Sequence, residues 1–269
     1  MSLTSVLKEK GKFYNTIYDL LDLEVCNKVI EHHNKLMIKP VYKPVKDTDF
    51  ALTGMSVIYA LREYLTGKSK WRDTVAGYFD FPDYVDRPAR WVVMGMMDKI
   101  VRNGNVVFNG DHQQIKLPPN YEPTIKDVNN VAMSFKKIID SPSRFIDNCE
   151  IYINPSFSRS YFVGGADANM IIGNTLFDVR TTAKSRPLTL DNIIQQIAYR
   201  LLDSDNKYGI DKICWYYTRQ ECMFIHDIGL FIDKNKLQNY VNIITDEENS
   251  FYNKLNHIPS HRLFDFVRR

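Results

Sequence analysis

Gly173–Asn174 lies between two short apolar runs, ANMII before it and TLFDV after it, and this predicts a β-hairpin in the middle of the chain. A two-residue turn fixes the pairing. Ile172 then faces Thr175, Asn169 faces Asp178, and Asp167 faces Arg180. Opposed residues point to the same side of a sheet, and every second residue repeats that side. Asp167, Asn169, Asp178 and Arg180 are therefore expected on one face, with Ala168, Met170, Phe177 and Val179 on the other. Aspartate is disfavoured in strands, and two on one face repel unless something positive joins them. A divalent metal ion at a phosphate meets that need. So does an Asp–Arg ion pair on an exposed sheet face, and pairing alone does not choose between the two.

A polar loop follows, and then the clearest helical pattern in the chain, residues 190–203. Leu190, Ile193, Ile194, Ile197, Ala198, Leu201 and Leu202 form one apolar stripe, and Thr189 can cap it. Gln195 and Tyr199 lie four apart on one flank of the stripe, where they can lean over the edge of a sheet. Upstream, residues 125–139 read as a helix and 149–153 as a strand. Downstream come strands at 212–217 and 223–228 and a terminal helix at about 235–256.

The first 120 residues are mainly helical in pattern. Residues 1–38 read as a helical region, 53–65 and 70–79 as helices, and Pro88 can open a third running to Arg102. A hairpin turning at Asn109–Gly110 comes next. Three helices and a hairpin follow the order of a winged helix-turn-helix, which would place Arg87 and Arg90 against nucleic acid. The competing reading is a structural cap, with Trp91, Val92, Met94, Met96 and Met97 buried on the rest of the protein. The proline-rich stretch LPPNYEPT marks the expected boundary, dividing the chain into 1–120 and 121–269.

The run from 164 to 199 resembles the core of the PD-(D/E)XK nuclease superfamily. Ala166–Asp167 stands for its PD, Asp178–Val179–Arg180 for its (D/E)xK, and Gln195-x-x-x-Tyr199 is similar to the helix motif of the RecB-like branch. The resemblance covers about residues 120–230. It implies an α/β fold of the restriction-endonuclease type, with element order αβββαβ and a mixed sheet flanked by helices, preceded by the helical N-terminal region. It also implies Mg²⁺ or Mn²⁺ held by Asp167, Asp178 and the carbonyl of Val179, hard oxygen ligands that suit these ions. Gln195 and Tyr199 would then arrange substrate or water, and Arg180 would steady the phosphate. The expected activity is phosphodiester hydrolysis, with DNA the expected substrate. The alternative is a nuclease-fold protein that binds nucleic acid with little or no catalysis, and a purely structural partner subunit is a third reading.

Two departures matter. Alanine replaces proline before the first acid, and arginine replaces the lysine. Arginine keeps its charge and can clamp phosphate through two hydrogen bonds, but it cannot act as a general base near neutral pH. A metal ion can activate water without such a base. Lys184 could swing in from the following loop, or remain a solvated loop lysine. The acid that many relatives carry on an early helix has no obvious counterpart; Asp147 and Glu150 are the candidates to replace it. Asn169 could orient water or be an ordinary strand residue.

Composition excludes several other classes. At 269 residues, 44% hydrophobic and 25% charged, the chain can bury a substantial core, and its +3 charge permits nucleic-acid binding without demanding it. No apolar run reaches membrane-spanning length, and the N-terminus lacks a secretory pattern, so a cytoplasmic protein without membrane contact is expected. Cys26, Cys149, Cys214 and Cys222 are scattered, which argues for reduced thiols and against an iron–sulfur cluster. His32, His33, His112, His226, His257 and His261 show no zinc-ligand spacing, and Ser156 and Ser158 lack a nucleophile-elbow context. A homo-oligomer or a partner protein remains open.

Overall fold

The computed structural model describes residues 3–37, 40–66, 87–102, 121–139 and 149–232. Within these the protein is an α/β structure, a five-stranded mixed sheet with helices on both faces. The element order is α1 (Leu3–Lys8), α2 (Lys12–Leu20), α3 (Leu23–Leu36), α4 (Phe50–Thr66), α5 (Arg87–Arg102), α6 (Glu122–Ile139), β1 (Ile151–Ile153), β2 (Met170–Ile172), β3 (Thr175–Arg180), α7 (Leu190–Leu202), β4 (Lys212–Tyr217) and β5 (Cys222–Asp227). The expected helix at 70–79, the hairpin at Asn109–Gly110 and the terminal helix lie outside the described residues.

The strands lie in sequence order. All neighbours are antiparallel except β3 and β4, which run parallel and are joined through α7. The β2–β3 turn falls at Gly173–Asn174, with Ile172 opposite Thr175. Gly173 takes φ +57°, which glycine adopts without a side-chain clash, and it sets up the tight turn. α7 begins at a capping box in which Thr189 and Asn192 satisfy each other's otherwise orphaned groups. Asp191 in its first turn and Arg200 in its last complement the helix dipole.

The expected 1–38 helical region is three helices. It breaks at Gly11 and again where Asp22 caps α3 by accepting a hydrogen bond from the Val25 N–H at 3.1 Å. These short helices do not form a core of their own. Leu3, Ile17 and Cys26 pack with α7 and with Ile171, Leu176, Ile213, Trp215 and Tyr217 on one sheet face. On the other face α4, α5 and α6 cover Met170, Ile172, Phe177, Val179, Cys214 and Tyr216.

That second layer is fastened by a charge pair with no exposed surface. Arg219, in the short turn after β4, makes two hydrogen bonds to Asp127 of α6, from Nη1 at 3.0 Å and Nη2 at 2.5 Å, and both side chains are 0% exposed. Asp127 also accepts from the Val45 N–H and the Thr53 hydroxyl, while Arg219 donates to the Tyr42 carbonyl. Four segments therefore meet on one ion pair. A second anchor, with its cation half exposed, is Glu63 on α4, which takes Arg87 and the Trp91 indole N–H from α5.

Candidate functional site

Alternation along β3 buries Phe177 and Val179 under α4–α6 and turns Asp178 and Arg180 to the α7 side. Both lie at the carboxyl end of β3, beside its parallel neighbour, where Asp178 is level with Trp215 and Arg180 with Tyr217. The carboxyl ends of parallel strands are where open α/β sheets leave room for a ligand. The Arg180 Nε donates to Asp178 Oδ2 at 2.6 Å, and the two side chains are 23% and 13% exposed. Burial opposes the charge on Arg180, but Asp178 outweighs it, with Tyr217 and Tyr199 adding to the effect, and the pKa is raised. Arg180 is thus a permanent cation. Its terminal nitrogens make no hydrogen bond among the described residues. Burial raises the pKa of Tyr217, whose hydroxyl is buried without a hydrogen-bond partner among the described residues.

From α7, Tyr199 reaches over and donates its hydroxyl to the Asp167 backbone carbonyl at 3.0 Å. Its ring rests on Phe157, with centroids 5.5 Å apart. Gln195, one turn earlier, is half-buried and has no hydrogen bond among the described residues. Asp167 is exposed, and its carboxylate makes no hydrogen bond or ion pair among them. It lines a cleft of about 240 Å³ together with Leu3, Thr4, Gly164, Gly165, Ala166 and Tyr199. Asp178 and Arg180 are not part of that lining. These residues therefore occupy two places: an open cleft with Asp167 and Tyr199, and a mostly buried ion pair at the strand end.

The expected register is kept only near the turn. The β2–β3 ladder ends at Met170–Phe177, so Asn169–Asp178 and Asp167–Arg180 are not ladder pairs. Asp167 instead bridges Ser156. Asn169 spans the gap with its side chain, accepting the Val179 N–H at Oδ1 at 2.9 Å, and its own carbonyl accepts from Arg62. Asn169 is thus a structural link. Ala168 also departs from expectation and packs in the core on the α7 side.

Glu150 does not supply the absent helix acid. Its carbonyl accepts the Gly173 N–H at 2.8 Å, which places it at the turn end of the hairpin, roughly 17 Å of strand from Asp178. Its carboxylate takes the Tyr152 hydroxyl instead. Asp147 lies outside the described residues. Arg87 is tied to buried Glu63 at 2.9 Å, and the Arg90 Nε is buried without a partner among the described residues. Trp91, Val92, Val93, Met94 and Met97 are buried around the same helix, so α5 offers little free surface to a groove. Lys184 is exposed in the loop before α7. The contribution of Tyr217 was not legible in the sequence, because the offset between parallel strands is set by α7 rather than by a turn.

Among the described residues no three His, Cys, Asp or Glu side chains form a metal cage, and no helix is long and apolar enough to cross a membrane. No family model matches the chain, and no curated protein matches it.

Proposed function

We propose that this protein is a Mg²⁺- or Mn²⁺-dependent nuclease with a PD-(D/E)XK-type core, hydrolysing phosphodiester bonds in DNA. The observation that carries this reading is the Asp178–Arg180 pair at the carboxyl end of β3, together with an exposed Asp167 carboxylate that has no partner among the described residues. The donor set suits a hard ion: two carboxylates and a main-chain carbonyl are all oxygen, and Mg²⁺ commonly binds through one or two carboxylates and keeps several waters. Asp167, Asp178 and the Val179 carbonyl would hold the ion, which when bound activates water and neutralises charge on the phosphate.

The chain's own residues do the rest. Arg180 presents its terminal nitrogens to a non-bridging phosphate oxygen and stays charged throughout, so it stabilises the transition state without moving a proton. Tyr199 fixes the backbone at Asp167 and so sets where that carboxylate points. Gln195 offers an amide to substrate or water one helical turn away. Lys184 adds a cation at the rim.

The 2.6 Å contact between Asp178 and Arg180 favours a second reading, a nucleic-acid binder in which Asp178 only orients a phosphate-clamping Arg180. Incubating the purified protein with plasmid and single-stranded DNA in Mg²⁺, Mn²⁺ and EDTA separates the two. The nuclease reading expects cleavage with either metal and none in EDTA. DNA binding without cleavage under every condition would establish the binder instead.

A further inference from the structure

Tyr217 closes β4 level with Arg180, on the α7 side of the sheet. Its ring packs edge-on to Phe224, with centroids 6.2 Å apart. The residue is 0% exposed, yet the hydroxyl at its tip has no hydrogen-bond partner among the described residues. Phenylalanine would fill the same place without burying an unpaired polar group, which costs stability. The hydroxyl is also a lasting donor. Burial, the largest influence on its pKa, raises it, and the charges of Arg180 and Asp178 act on it in opposite senses.

The neighbouring ion pair has a use for such a donor. The Arg180 Nε holds Asp178 Oδ2 at 2.6 Å, and the Asp178 side chain is only 13% exposed. A phosphate oxygen arriving at Arg180 competes with that carboxylate for one cation, and the two anions repel. Asp178 cannot simply be released, because a buried charge that loses its partner is strongly destabilising. It needs a second donor in the same layer, and Tyr217 stands beside it. The backbone there is held, since the Thr218 hydroxyl donates to the Arg180 carbonyl at 3.3 Å, so any exchange of partners falls to the side chains.

We infer that Tyr217 is a positioning residue of this site: when a phosphate oxygen draws Arg180 away, the Tyr217 hydroxyl turns to Asp178 and donates the hydrogen bond that Arg180 gave up. This rests on the phosphate-binding role of Arg180 proposed above. The test is a double-mutant cycle on DNA binding in EDTA, where cleavage is not expected, followed by fluorescence anisotropy with short labelled single-stranded and duplex DNA. Kd is compared on the form that wild type binds more tightly. Tyr217→Phe removes only the hydroxyl and should weaken binding about tenfold or more. Asp178→Asn releases Arg180 without stranding a charge and should bind at least as tightly as wild type. Placed on Asp178→Asn, Tyr217→Phe should change binding less than about twofold. Urea unfolding adds a readout that a structural role would move the other way. Tyr217→Phe should be as stable as wild type or more so, because its hydroxyl is unbonded in the DNA-free protein.

Equal binding by Tyr217→Phe and wild type overturns the inference, as does an equal loss with and without the Asp178 carboxylate, or weaker binding by Asp178→Asn. A Tyr217→Phe protein less stable than wild type also overturns it, by showing that the hydroxyl is already bonded. So does cleavage with Mg²⁺ by a wild type that does not bind DNA in EDTA, because the exchange requires no metal. In each of these cases binding or cleavage by wild type leaves the reading above standing, and this inference alone falls. If wild type neither binds nor cleaves DNA, both fall.

Discussion

Acidification should loosen the sheet from α3 at one identifiable contact. His33 on α3 meets His226 on β5 with the two Nε2 atoms 2.8 Å apart, so one ring donates to the other. His33 is 0% exposed, stacked on Phe224 at 3.9 Å and edge-on to Trp215 at 5.7 Å, and its Nδ1 has no partner among the described residues. Burial pushes its pKa down to about 3, with His226 and His32 adding to the effect. His226 is lowered as well, by burial and then by His32, while Asp227 pulls it the other way. An unfolded histidine titrates near 6.5, so below that pH the unfolded chain holds a proton that folded His33 refuses. Stability contributed by neutral His33 is therefore complete above about pH 6.5 and is lost progressively as pH falls toward 3. Between about pH 7.5 and pH 5 the loss from His33 alone comes to about 2 kcal/mol. Urea unfolding at those two pH values measures it. His33→Phe keeps an aromatic ring against Phe224 and cannot titrate, so its stability should fall by about 2 kcal/mol less over the same interval. Equal losses in wild type and variant would refute the reasoning and show that the pair retains a shared proton in the folded state.

Asp178→Ala should abolish metal-dependent cleavage while circular dichroism shows a folded protein; cleavage at the wild-type rate removes Asp178 from the site. Arg180→Lys should keep or raise the cleavage rate, whereas Arg180→Ala should lower it about 10²- to 10³-fold, since a fixed cation at the phosphate is lost. Undiminished cleavage by Arg180→Ala would leave Arg180 with no catalytic part. Asp127→Ala strands the Arg219 charge in the interior and should cost about 3–5 kcal/mol in urea unfolding, and a loss below about 1 kcal/mol would show that water reaches the pair.

The features legible in the sequence were those set by neighbours in the chain. The Gly173–Asn174 turn, the stripe and cap of α7, and the strands of β4 and β5 follow from local turn chemistry and periodicity. The breaks at Gly11 and Asp22 carried ordinary helix-terminating and capping signals, and the single helical region expected there passed over them. Other features depend on segments far apart. The register stops at Met170, and Asp167 bridges Ser156 instead, a partner that hairpin counting does not include. His33 and His226 are separated by 193 positions, and nothing in the spacing of either announces the other. Arg87 and Arg90 invited a groove-binding reading because they open a helix, but the buried Glu63 that takes Arg87 lies on another helix.

The Asp127–Arg219 pair also bears on how the chain reaches its native state. Its partners are 92 positions apart, and its further hydrogen bonds draw in Tyr42, Val45 and Thr53. The two Arg219–Asp127 bonds cannot close until α6 has settled on the sheet and the turn after β4 has formed. Closing so many distant segments is entropically late. Interactions absent from the folding barrier act almost wholly on escape from the native state. Weakening this pair should therefore leave the refolding rate nearly unchanged and speed unfolding, which makes Asp127 and Arg219 a latch that governs the lifetime of the folded protein.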